Sequence, residues 1–208
     1  MEQSSEHTND KAVWQAIKAG DQPGFNRIFK KYYSELYYYG IKIFPDPDFI
    51  KESIQEVFVR IWETRQSLAD VENVKAYLIV SVRRMIFIRK KNAEFKQIVE
   101  LGKFENSTFF FDVNEFEKHE DISDEVRRVL LHAINSLTVK QRELIMLFFY
   151  HELPYSEIAQ IMGISVQAVR NLMCRTLIHL RKSIGEKSLK LINNLFFTLF
   201  SSISAKKM

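Results

Sequence analysis

Apolar side chains recur at three- and four-residue spacing along most of the chain, which is the period of one helical face. Val13, Trp14 and Ile17 share such a face from Asp10 onward, until Ala19, Gly20 and Asp21 interrupt it. Residues 1–9 are polar and are expected to be disordered. Phe25, Ile28, Phe29, Tyr32, Tyr33, Leu36 and Tyr37 resume the pattern; Gly40 does not stop it, and a Pro-Asp-Pro turn at Pro45 to Pro47 does. A helix over about Phe49–Arg65 turns Ile50, Ile54, Val57, Phe58, Ile61 and Arg65 to one side, with Trp62 at the margin. Glu52, Gln55, Glu56, Arg60 and Glu63 fall opposite, either as an ordinary solvated face or as a docking surface. Asn73 is then placed to cap a helix whose inward positions are Val74, Tyr77, Leu78 and Val82.

Periodicity fades and acids accumulate between Glu100 and Ser123. Residues 10–99 and 124–184 therefore read as two small helical domains joined by an acidic linker, 100–123, and the expected fold is all-α. In the second domain Val126, Val129, Leu130, Ala133, Ile134 and Leu137 make one amphipathic helix, and Gln141 to Tyr150 makes another. Tyr155 to Met162 follows, with Ile158, Ala159 and Met162 on one face. Pro154 suits the start of that helix, and Gly163 suits a left-handed residue that reverses the chain at its end. Ser165 offers its hydroxyl to cap a last helix carrying Val169, Leu172 and Met173 inward. The small Ala159 permits the two helices to cross closely. Residues 185–208 extend the chain with Leu189, Ile192, Leu195, Phe196, Leu199 and Phe200 on one helical face. Packing within the chain is the default for such a face, with a protein partner or a membrane surface as alternatives.

Composition narrows the function classes only where charge is segregated. The 30 basic and 26 acidic residues leave a net charge of +4, a weak argument for nucleic acid. Yet Arg83, Arg84, Arg89, Lys90, Lys91 and Lys96 lie in a run with Glu94 as its one acid, whereas Asp112 to Glu125 holds seven acids and one lysine. Different surfaces should meet different partners. The single cysteine, Cys174, excludes an internal disulfide and fits a reducing cytoplasm. No stretch reaches the roughly 20 apolar residues of a bilayer span, and the N-terminus lacks the pattern of a secretory signal. His7, His119, His132, His151 and His179 have no metal-ligand spacing, and the six glycines form no phosphate loop. No enzyme, cofactor, metal or small-molecule substrate is expected.

Two helices joined by a glycine turn occur both in plain bundles and in helix-turn-helix DNA readers, so the outward side chains decide. Here they are Ser165, Val166, Gln167, Arg170, Asn171 and Arg175. Gln and Asn pair with adenine, Arg with guanine or phosphate, which favours DNA. Leu137, Gln141, Arg142, the run Tyr155 to Ser165, Val169, Leu180 and Arg181 together resemble region four of sigma-70 family factors, most closely the extracytoplasmic-function (ECF) group. Ala168 stands where that family often has threonine, and Thr176 where it often has alanine. The stretch ESIQEVFVRIWE, Glu52 to Glu63, is similar to region 2.2 of the same family, with Glu52 in place of the usual aspartate. The helix after Asn73 resembles regions 2.3 and 2.4, with Arg84 for a typical asparagine and Ile88 for a typical aspartate or asparagine.

The resemblance covers roughly residues 24–182 and implies a division of labour. Glu52, Gln55, Glu56, Arg60 and Glu63 would grip core RNA polymerase; Arg83, Arg84, Arg89, Lys90 and Lys91 would hold the melted minus-ten element; the last helix would read the minus-thirty-five element of promoter DNA. An anti-sigma protein is a further partner, and the cytoplasm the expected location. A helix-turn-helix regulator that never touches polymerase is the rival, and it gives no reason for the Glu52–Glu63 motif. A helical protein-interaction module is a second rival, with no sequence-dependent DNA binding.

Overall fold

A computed structural model describes residues 2–98 and 124–184, with side chains placed for 9–91 and 128–184. The described chain is all-α and divides into two compact units, one on either side of residues 99–123. The expected linker and the extension 185–208 lie outside the described residues.

The first unit holds α1 (Glu2–Lys18), α2 (Gln22–Ile43), α3 (Pro47–Glu63) and α4 (Val74–Ile98). Helix α1 begins at Glu2, ahead of the expected Asp10, so the segment read as disordered is helical. No Gly or Pro occurs in Glu2 to Asn9, and a helix already anchored by Val13, Trp14 and Ile17 extends at little cost. Asp10 is buried, where its carboxylate accepts from the Tyr32 hydroxyl and, at 2.7 Å, from the Lys31 ammonium. A buried charge needs such partners, and this one ties α1 to α2. Trp14 is fully buried, donates from its indole to the Ala69 carbonyl at 3.2 Å and meets Tyr77 edge-on at 5.1 Å. Ile28, Leu36, Tyr39, Ile50, Ile54, Leu78, Ile79 and Ile86 complete the core between the helices.

Local signals set the ends of α3 and α4. Pro47 opens α3 behind Asp46, whose carboxylate accepts from the amides of Asp48 and Phe49 at 3.1 and 3.0 Å. The Asn73 side chain caps α4 by accepting from the Ala76 amide at 3.1 Å. Helix α3 stops at Glu63, short of the expected Arg65. The Thr64 hydroxyl turns back to the Arg60 carbonyl at 2.7 Å, and Arg65 falls in a 3-10 turn, Arg65–Ser67. Arg65 there stacks over Trp62 at 4.6 Å and donates to the Trp62 carbonyl at 2.7 Å, so it buttresses the helix end and does not enter the core. Tyr77, expected inward, is half-buried against Trp14.

The second unit holds α5 (Asp124–Asn135), α6 (Val139–Ile145), a π turn (Met146–Tyr150), α7 (Tyr155–Met162) and α8 (Val166–Ile184). Thr138 and Gln141 form a reciprocal capping box at the start of α6. Leu130, Leu131, Ala133, Ile134 and Leu137 are buried, whereas Val129 is exposed. The apolar stripe of α5 is thus centred toward Leu130 and Ile134, and Val129 lies beyond its edge; the Val126 side chain lies outside the described ones. On α7 the third inward residue is Ile161, with Met162 half-buried, and on α8 Thr176 and Leu180 are buried while Leu172 is half-buried. Helix α8 packs against α5, α6 and α7.

Gly40 marks a close crossing of α2 and α3. A methyl group there would stand 2.6 Å from Cγ2 of the fully buried Ile50. Gly40→Ala should therefore destabilise the first unit by a net amount on the order of 1 kcal/mol, because overpacking outweighs the gain in helix propensity. Urea unfolding of the two proteins checks this; an alanine variant as stable as the parent would show that α2 and α3 separate freely at that point.

Candidate nucleic-acid interface

The turn between α7 and α8 is dictated by backbone geometry. Gly163 closes α7 in the left-handed region, with φ 67° and ψ 37°, and no atom lies within 4 Å of where its Cβ would be. Conformation, not crowding, requires glycine. The next amide, of Ile164, donates to the Ala159 carbonyl at 3.0 Å, and the Ser165 hydroxyl accepts from the Ala168 amide at 3.1 Å. Ser165 is thereby a cap, and any nucleic-acid role it has is shared with that bond.

Val169, Met173, Thr176 and Leu180 sink into the unit and hold α8 rigidly. The opposite face leaves Gln167, Arg170, Asn171 and Arg175 exposed and Val166 half-buried. The Gln167 amide donates to the Asn171 side-chain oxygen at 3.0 Å. One pairing still leaves Gln167 an acceptor and Asn171 two donors, enough for an adenine edge. Arg175 is exposed and donates from Nε to the Asn171 carbonyl at 3.4 Å, a bond that does not use its terminal nitrogens. Cys174 is exposed on the same helix.

The platform beneath is closed by Arg142. Its Nη1 donates to the carbonyls of Asn135 and Leu137 at 2.6 and 2.7 Å, at the end of α5, and burial pushes the guanidinium below the usual arginine range. His179 on α8 meets the Ser136 hydroxyl at 3.0 Å, which adds a second tie to the same turn.

In the first unit the polar face of α3 is present as read: Glu52, Gln55, Arg60 and Glu63 are exposed and Glu56 is half-buried. Beside it runs a groove of about 540 Å³ lined by Phe25, Phe29, Phe58, Val59 and Trp62 with Gln55 and Glu63 at its rim. Val59 is 53% exposed, and periodicity alone passed it over. Its signal was an isolated valine in an otherwise polar stripe. A second groove, about 210 Å³, lies between α3 and α4 and brings Arg60 together with Thr64, Tyr77, Ser81, Arg84 and Ile88. Arg60, grouped with the docking residues by sequence, thus shares a wall with Arg84 of the nucleic-acid group.

The basic run on α4 is not one surface. Arg84 and Lys91 are exposed and Lys90 half-buried; Arg83 lies over the ring of Phe87 at 4.8 Å, and Phe87 and Ile88 are themselves exposed. That mixture of cations and bare apolar side chains suits unstacked bases and their backbone. Arg89 instead faces α3: Nη2 is 2.5 Å from a Glu52 carboxylate oxygen, Nη1 3.7 Å from Glu56, and its guanidinium covers Phe49 at 4.9 Å. Among the described residues no cluster of His, Cys, Asp or Glu could hold a metal ion, and no helix is long and apolar enough to cross a membrane.

These features define a two-unit helical protein that presents a helix-turn-helix from one unit and an aromatic, cation-edged helix from the other. Residues 127–180 match the family model described as sigma-70, region 4. The ECF RNA polymerase sigma-E factor of Escherichia coli (strain K12) is 25% identical over 200 residues, covering 90% of this chain and 98% of that protein. The ECF RNA polymerase sigma factor SigK of Mycolicibacterium vanbaalenii is 21% identical over 176 residues, 84% of this chain and 88% of its own. Two solved structures share the fold. One is the sigma factor RpoE crystallised with the anti-sigma factor NepR from Bartonella quintana, with a TM-score of 0.56 at 19% identity over 77% of this chain and 96% of that one. The other is CnrH in complex with the cytosolic domain of CnrY, with a TM-score of 0.54 at 18% identity over 83% and 95%. The second unit thus matches region 4 of the sigma-70 family, and the chain as a whole is similar to sigma factors of the extracytoplasmic-function group.

Because Gly163 is required by φ alone, Gly163→Ala should cost about 1–2 kcal/mol of stability in the second unit, and Gly163→Asn less, since asparagine tolerates the left-handed region. Chemical denaturation of the three proteins reads the order; an alanine variant equal to glycine would mean the turn has another conformation.

Proposed function

We propose that this chain is an alternative, ECF-type sigma factor that docks on core RNA polymerase and directs transcription initiation from promoters with minus-ten and minus-thirty-five elements. The observation that carries the reading is the exposed Gln167–Arg170–Asn171–Arg175 face on a helix anchored from its other side by Val169, Met173, Thr176 and Leu180, within the part of the chain that matches sigma-70 region 4. In this reading α8 lies in the major groove of the minus-thirty-five element. Arg83, Arg84, Lys90 and Lys91, with Phe87 and Ile88, hold the opened minus-ten strand. Glu52, Gln55, Glu56, Val59, Arg60 and Glu63, with the aromatic groove behind them, meet the polymerase.

The physical logic is addition of weak contacts. Each unit offers few phosphate contacts, so each alone holds DNA weakly and loses it as salt rises. Joined in one chain and held on one enzyme, the second contact becomes intramolecular and gains an effective concentration. Capture of unstacked bases offsets part of the cost of opening the duplex, and no nucleotide fuel or cofactor is needed. The chain works as a binding factor without catalysis of its own, in the cytoplasm where promoter and polymerase meet. An anti-sigma protein competing for the same surfaces is the natural regulator, since both structural neighbours were solved with such partners or with a partner's cytosolic domain.

Run-off transcription with purified core polymerase on a genomic fragment library tests the proposal: discrete start sites should require this chain. Arg170→Ala should weaken recognition of a minus-thirty-five duplex by about 1–3 kcal/mol and leave core affinity unchanged. Val59→Asp should do the reverse, with core affinity down roughly tenfold or more because a charge enters an apolar contact. Native co-purification and duplex-binding titrations separate the two effects; equal loss of both activities in either variant would refute the assignment of separate surfaces.

A further inference from the structure

Arg89 occupies the seam between the two surfaces of the first unit, and the contacts around it are unusually complete for a lysine- and arginine-rich helix end. Phe49 covers one face of its guanidinium at 4.9 Å, Glu52 meets one edge at 2.5 Å, and Glu56 stands 3.7 Å from the other terminal nitrogen. Glu56 is itself tied to Arg60 at 2.7 Å, so four charged residues from α3 and α4 form one chain of contacts. The Arg89 side chain is 24% exposed against 62% for Glu52. The carboxylate can therefore be reached from outside while the guanidinium, in this arrangement, is largely occupied.

We infer that Arg89 is a latch between docking and strand capture: in the free chain Glu52 and Glu56 hold its guanidinium against α3, and a partner that engages those carboxylates releases it toward nucleic acid. The inference rests on the proposed sigma-factor reading, because it needs both a docking partner and a strand. Guanidinium geometry sets the two states in competition. With one face covered by Phe49 and its terminal nitrogens beside two carboxylates, Arg89 would meet a phosphate next to two like charges, which disfavours a forked contact there. Releasing it requires only a change of side-chain rotamer, since α4 stays anchored by Leu78, Ile79, Val82 and Ile86. Linkage then demands reciprocity: whatever docking contributes to strand affinity, the strand returns to docking by the same factor.

The size of the effect is set by a partly exposed ion pair. Neutralising Glu52 and Glu56 together as Glu52→Gln with Glu56→Gln should tighten binding of the full-length chain, free of polymerase, to a fluorescent single-stranded DNA by about two- to fivefold at low salt. The gain should shrink as salt is added. It should vanish when Arg89→Ala is combined with the two glutamines, and Arg89→Lys should keep part of it. Removing two negative charges near any cationic surface raises affinity too, so the Arg89→Ala background is decisive: a gain that survives there is long-range charge and overturns the latch, as does no gain at all. Circular dichroism melts of each variant confirm that the first unit is folded. As a second readout, saturating single-stranded DNA should strengthen core polymerase binding by the wild type more than by the Arg89→Ala variant; equal strengthening overturns the latch. If the wild type neither binds core polymerase nor holds the strand in its presence, the sigma-factor reading fails first and takes this inference with it.

Discussion

Arg142 carries a full charge into the interior of a unit built from short helices, and the arrangement of that unit follows from how the charge is satisfied. The end of α5 presents carbonyl groups with the negative end of a helix dipole behind them. Two of these carbonyls, from Asn135 and Leu137, accept from Nη1. The turn between α5 and α6 is thereby fixed, with the Thr138–Gln141 capping box holding the other side of it. The α5–α6 pair then offers the buried surface into which Val169, Met173, Thr176 and Leu180 of α8 can sink. In the proposed reading α8 must not roll, since a rotation of a few tens of degrees would carry Asn171 off a base edge. The buried arginine acts on that requirement from a distance, through the platform.

Much of this was legible in the chain because the relevant signals are local. The Gly163 turn, the Asn73 and Ser165 caps and the outward set Gln167, Arg170, Asn171 and Arg175 each depend on residues within a few positions of one another. Helical periodicity also located the cores, but with an error of one or two positions at the margin. Leu131 took the place expected of Val129, and Ile161 that of Met162, because a stripe on a helix is about 100° wide and neighbouring helices decide which edge is covered. Periodicity likewise cannot see an apolar residue used outward, as Val59 is.

Long charged side chains were the least legible. Arg65 was placed inward by spacing and instead closes the end of α3, and Arg89 was grouped with its basic neighbours and instead joins α3. Both have several rotatable bonds, and their partners lie either across a helix end or thirty-seven residues away in sequence. The partner of such a side chain is a tertiary fact, chosen once α3 and α4 have packed. Arg60 and Arg84 meet at one groove for the same reason, although the sequence distributes them between two different roles.

The electrostatics of the first unit follow from that packing. Helix α3 shows solvent a mostly acidic stripe, and α4 beside it shows a basic and aromatic one, so the net charge of +4 describes neither. The screening length in physiological salt is about 8 Å, shorter than the separation of opposite faces of a helix pair but longer than the distance from Arg89 to its carboxylates. Charges across the unit are therefore nearly independent, whereas charges at the seam remain coupled. A unit of this kind can present an acidic face to one partner and a cationic face to another without either face cancelling the other. Communication between them is confined to the few residues where α3 and α4 touch with opposite sign.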